Sequence, residues 1–241
     1  VRLSTLTLLL ALAALACLAL AGPGYRLEIW TFSTGFSIMR WAAIAGLAAA
    51  GLAVVLLVIP RTRSGAVPAL IVALGIGLIT AWVPWQGLQT ARSVPPIHDI
   101  TTDTEDPPAF VDIVALRIDA PNPPEYLDDE SAEQQAEAYP WIEPFFTEVP
   151  IEQVFEFALA TADAMGWEIH AAEPGEGRIE ATDTTFWFGF KDDVVIRISA
   201  ENSGSRVDVR SKSRIGRSDV GANARRIEAY LERLDRALPE S

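Results

Sequence analysis

The chain has 241 residues, 32 acidic and 19 basic side chains, two histidines and a formal charge of −13. So acidic a chain is repelled by the phosphate backbone, which argues against nucleic acid as a broad partner. A single cysteine, Cys17, leaves no internal disulfide framework.

Charge and hydropathy change abruptly near Ser93. Residues 1–94 carry six arginines and one acidic side chain, Glu28, for a net charge of about +5; residues 95–241 carry 31 acidic and 13 basic side chains, about −18. The first part contains three apolar runs, predicted as helices over residues 3–21, 41–59 and 66–83. At 1.5 Å per residue each reaches about 27–30 Å, enough to cross the hydrocarbon core of a bilayer. None holds an Asp, Glu, Lys, Arg or His, the residue types that mark ion-coupled transport pathways. Trp30, Trp41, Trp82 and Trp85 fall at the predicted ends, where indoles favour the interface. Residues 1–92 are therefore expected to be a transmembrane region.

Orientation follows from the positive charges. Arg61 and Arg63 sit in a tight connection, and Arg2 lies beside the N-terminus. Both cues predict a cytoplasmic N-terminus and an extracytoplasmic C-terminal domain on a bacterial cytoplasmic membrane. Two rivals stand beside the uncleaved first helix. Ala19-Leu20-Ala21 fits a small-residue cleavage site, which would make that run a signal peptide, and Cys17 could carry a lipid.

Residues 93–149 read as an acidic arm. Ten prolines punctuate residues 95–150 into extended and turn conformations, with Phe110–Ile118 as one candidate strand. From residue 150 to 241 an α+β domain is predicted. Ile151, Val154, Phe155, Ala158, Ala162 and Met165 repeat at helical spacing. Four strands follow, at 167–172, 178–190, 194–200 and 206–215, joined by connections of hairpin length. A last helix runs from about Asp219 to Leu238, capped by Ser218 or Asp219. The order predicts an antiparallel meander with both helices on one face.

The soluble part lacks a phosphate loop, a paired-cysteine metal site and a nucleophile elbow. His98, Asp99 and Asp103 match no dedicated metal spacing, so no metal or cofactor is expected. The richer constellation is basic. Seven of the domain's 13 basic residues fall between Ser205 and Arg226, and alternation puts Arg206, Arg210, Lys212 and Arg214 on one strand face. Arg217 precedes a helix start, where free N–H groups favour an anion. The ligand reading takes Arg210, Lys212, Arg214, Arg217 and Asn223, with Trp187 lining the groove, as a site for a small anion or an acidic group of an envelope partner. The intramolecular reading lays the acidic arm over the same face, with Asp99 and Asp103 on the arginines. The run Phe186, Phe188 and Phe190 is expected to fill the core.

Three segments carry a family resemblance: Ile97–Asp103 with Pro107-Pro108, Ile179–Ile198, and Arg210–Ile227. With these the soluble part resembles the domain-of-unknown-function family 1499, in its bacterial form with an apolar N-terminal region. The resemblance implies no substrate, cofactor or catalytic residue. The leading expectation is a non-enzymatic envelope protein that binds an anion or partner. An enzyme using Asp99, Asp103 or Asp219 as acid or base, or an assembly module of a membrane complex, stands as the alternative.

Overall fold

The structure is a computed structural model that describes residues 2–126 and 129–239. Val1, two residues of the predicted arm (127 and 128) and the last two residues of the predicted domain lie outside the described residues. The chain divides into two compact units, residues 1–90 with 186–189, and residues 91–185 with 190–241.

The first unit is helical. Helix α1 is Leu3–Arg26, α2 is Phe32–Val58, a short α3 is Pro60–Arg63, and α4 is Val67–Ser93. All three long helices exceed the predicted spans; α1 continues through Pro23 and α4 through Pro84, prolines that do not end the helix here. Thr31 accepts a hydrogen bond from the Thr34 amide and starts α2 nine residues ahead of Trp41. The three are long and apolar enough to cross a membrane, with mean hydropathies of 2.4, 2.4 and 2.1. Small residues build the packing: Ala11, Ala49, Ala53 and Ala73 are buried together with Leu56 and Leu70. A Cβ on Gly46 would meet the Gly77 carbonyl at 2.8 Å, so α2 and α4 cross at backbone contact there. Thr7 and Thr80 are buried, and each hydroxyl donates to the carbonyl four residues before it.

The second unit is α+β. Its main strands are β3 (Glu168–Glu173), β4 (Arg178–Thr184), β5 (Lys191–Glu201) and β6 (Gly204–Ser213), an antiparallel meander. The arm adds two short strands, β1 (Asp99–Thr101) and β2 (Phe145–Thr147), which share the free edge of β6. The sheet therefore has six strands, ordered β1-β6-β5-β4-β3 with β2 also on β6. Helices α6 (Ile151–Ala164) and α7 (Ala222–Ala237) cover one face. Val154, Phe155, Ala158 and Ala162 pack with Ile227, Tyr230 and Leu234 against Ile179, Val194, Ile196, Val207 and Val209. Burial of aliphatic groups of this size is worth about 1.5–3 kcal/mol per side chain.

Three local expectations need correcting. Phe110–Ile118 is not a strand; Ile113–Arg117 is a 3₁₀ helix, η1. Its burial follows Phe110, Ile113 and Arg117, and the Val111 and Ile113 amides donate to the buried Glu180 carboxylate rather than to a neighbouring strand. Strand β4 ends at Thr184, and the Thr185 amide donates to the Phe190 carbonyl, closing a loop between them. The phenylalanines there do not share a core: Phe186 is exposed, whereas Phe188 is buried in the first unit, 5.2 Å from the Phe36 ring. Finally, α5 (Asp129–Ala138) forms in the arm without an apolar stripe. Its Gln135 is buried and holds both the Thr101 amide (3.0 Å) and carbonyl (2.7 Å), completing the outer edge of β1.

Candidate functional site

Alternation along β6 turns Val207, Val209, Ser211 and Ser213 toward the helices and Arg206, Asp208, Arg210 and Lys212 away from them. The outward set is met by carboxylates from two sources, the arm and the neighbouring strands.

Arg210 is the most enclosed. Only 2% of it is exposed, and its Nε and Nη2 donate to the two oxygens of Asp99 at 2.9 and 2.8 Å. Its remaining donors reach the carbonyls of Pro108 and Pro124, and the guanidinium lies over the rings of Phe110 and Tyr126. Lys212 shares Asp99 at 2.9 Å and donates to the Glu125 carbonyl. Burial pushes the Lys212 ammonium below its usual pKa despite the pull of Asp99.

One strand over, Asp193 is buried between two guanidiniums. Arg117 approaches it at 2.5 Å, Arg214 donates to both of its oxygens at 2.8 Å, and Thr182 donates at 2.6 Å. Burial alone would raise its pKa, but the hydrogen bonds from Arg214 and Thr182 and both positive charges hold it below the ordinary carboxylate value. Toward the β5–β6 turn, Asp208 bridges Arg197 and Arg206, and Asp103 accepts from the same pair at 3.1 and 2.6 Å. Burial acts to raise Asp103 too, and the amides of Asp106 and Glu105 with Arg206 outweigh it. Asp106, 85% exposed, completes the group on Arg197.

A second polar cluster occupies the helix side of β6. Arg226 donates to Asp192 at 2.6 Å, to Asp183 at 2.8 Å, to Ser211 and to Asn223. Asn223 in turn holds the His98 carbonyl and the Ser213 hydroxyl. The start of α7 is occupied: Asp219 accepts from the Gly221 and Asn223 amides, both at 2.7 Å. Burial pushes the Asp219 carboxyl above its usual value in spite of those two bonds. His98 is pushed down, by burial first and then by Lys212.

The residues named from sequence thus separate. Arg210 and Lys212 meet at Asp99, and Arg214 belongs to the Asp193 group. Asn223 is on the opposite face of the sheet. Arg217 is exposed, and Trp187 is in the first unit, its indole donating to the Ala19 carbonyl at 3.3 Å. Sequence reasoning missed Arg117, Glu180, Asp192 and Asp193, and placed Arg226 in the basic cluster without a partner. Lys191-Asp192-Asp193 reads as turn chemistry, yet both aspartates are buried in β5, each facing an arginine on its own side of the sheet. The signal was the seven-residue basic cluster, which needed more buried acid than the arm alone offered.

Among the described residues, two depressions lie on the outer side. One, about 520 Å³, has Arg197, Ser199 and Arg206 beneath a rim that includes Glu105, Asp106 and Glu201. The other, about 310 Å³, runs between Pro107–Val111 and the residues Glu176, Arg178, Val195 and Arg197. No group of three His, Cys, Asp or Glu side chains able to hold a metal occurs among the described residues.

Together these features define a class: an α+β domain with an internally neutralised basic face, carried behind three helices able to span a membrane. The chain belongs to the family described as protein of unknown function (DUF1499), whose model matches residues 99–234. The match begins at β1, so the family unit includes the arm and not only the meander. No curated protein matches the chain.

Proposed function

We propose that the protein is a non-enzymatic binding module, held in a bacterial cytoplasmic membrane with its N-terminus inside, whose acidic outer domain docks a basic partner of the cell envelope. Arg61 and Arg63, in the short connection around α3, support the orientation. The observation that carries the partner reading is where the positive charge goes. Arg117, Arg178, Arg197, Arg206, Arg210, Lys212, Arg214 and Arg226 all turn to carboxylates within the domain. Among the described residues they engage ten of its acidic groups, of which Asp106, Asp112 and Glu176 stay at the surface, and the remaining acids far outnumber the five other basic residues. Such a surface attracts cationic partners and is repelled by anionic lipid. Asp99, Asp103 and Asp219, the candidates for acid–base work, are each engaged by fixed donors, which supports binding over turnover.

The second reading is a small anion that displaces Asp106 from Arg197, favoured by the exposure of that one carboxylate. On this view Arg197 and Arg206 would hold the ligand, and of the residues named from sequence only the exposed Arg217 would be free to help.

A photo-crosslinking residue placed in turn at Ile118, Glu201 and Glu232 of the full chain in native membranes separates these readings. The partner reading predicts a discrete protein adduct from at least one position. The anion reading predicts none, together with phosphate or citrate binding that tightens in Asp106→Ala.

A further inference from the structure

The outer surface of η1 has no role in the network described above, and it is unusual in its chemistry. Between Val111 and Ile118 four aliphatic side chains point to solvent: Val111, Val114, Leu116 and Ile118, the last 85% exposed. The segment is not loose. Glu180, fully buried, fixes the Val111 and Ile113 amides at 2.7 and 2.8 Å, and buried Arg117 anchors the other end on Asp193. Phe110 and Ile113 pack inward on Val195. Two buried charges thus hold an aliphatic knuckle in one outward-facing conformation. Its neighbour is the 310 Å³ cleft, with Pro107, Pro108 and Val111 along one wall and Val195 at its base.

The rim is acidic. Asp106, Asp112 and Glu176 are 85%, 49% and 65% exposed, and Asp119 follows Ile118 directly. The guanidiniums nearby, Arg178 and Arg197, are turned to Glu180 and Asp208 as well as to this rim. An apolar centre with a charged border is the anatomy of a protein–protein contact. Charge decides among occupants. An anionic leaflet is repelled by this border, and a second copy would set acid against acid. We infer that the knuckle Val111–Ile118 and its cleft form the docking surface for a partner protein that presents an aliphatic centre edged by Lys or Arg. This rests on the binding-module reading and names the surface through which that module acts.

The test uses the full chain in native membranes with p-benzoylphenylalanine at Ile118 or Val114, and at Glu201 and Glu232 for comparison. The inference predicts one protein adduct from Ile118 and Val114, mapping to a segment whose apolar residues are flanked by Lys or Arg. Asp119→Lys, which disturbs no ion pair among the described residues, should cut adduct yield at least fivefold, and reversing the mapped basic residue should restore it. An adduct of twice the chain's own mass, an adduct with lipid, or insensitivity to Asp119→Lys overturns the inference. A protein adduct from Glu201 alone overturns the docking surface and leaves the binding module standing. No protein adduct from any position overturns both.

Discussion

Asp193 holds the tightest knot of the domain, and its loss should be felt well beyond one side chain. Asp193→Ala leaves Arg117 buried without a counter-charge, an arrangement that costs about 3–5 kcal/mol. The exposed Arg236–Glu232 pair on α7 is the control; Arg236→Ala should change stability by under about 0.5 kcal/mol in chemical denaturation followed by tryptophan fluorescence. Acid should separate two aspartates of opposite sign. The Asp193 carboxyl titrates below its unfolded value, so its contribution is complete above the ordinary carboxylate range and is lost as pH falls through the depressed folded value. Asp219 titrates above its unfolded value, so the folded state takes up its proton first and gains stability as pH falls toward 4. Wild type should therefore gain on Asp219→Asn between pH 7 and pH 4, read from denaturation curves at each pH. A constant difference between the two would contradict the assignment.

At the scale of elements, the crossing of α2 and α4 depends on two glycines in backbone contact. Gly46→Leu or Gly77→Leu should break that crossing and lower the thermal stability of the detergent-solubilised chain. Gly51→Leu, with nothing within 4 Å of the added carbon, should not. On the sheet, Ile100→Ala removes a fully buried side chain from β1 and should cost about 2–5 kcal/mol. The same elements explain what sequence could and could not yield. The meander and its two helices were legible because alternation in Val194–Ile198 and helical spacing in Ile151–Met165 report burial directly. Strands β1 and β2 were not, because three-residue strands have too few alternations to register. The 3₁₀ turn escaped notice because its backbone donors are satisfied by Glu180, 67 and 69 residues away in sequence, and no local pattern encodes that partner. Helix α5 has an acidic sequence whose buried Gln135 pairs with the Thr101 amide and carbonyl, a contact that hydrophobic periodicity does not see.

For the whole molecule, the division of charge noted near Ser93 acquires a physical role. The arm's acids and the sheet's bases neutralise each other within the second unit, and the acid in excess remains outside. Within the basic stretch that reads as a ligand site in sequence, Arg210 is enclosed by Asp99, two carbonyls and two rings. The most direct measurement is amide hydrogen exchange across residues 99–117 in the full chain, reconstituted in lipid nanodiscs. The account predicts that Thr101, Thr102, Val111 and Ile113 exchange as slowly as the centre of β5 and β6, with no change on adding millimolar phosphate or citrate. Rapid exchange at these amides, slowed by either anion, would mean that the arm lifts from the arginines and that the basic face is open to a guest.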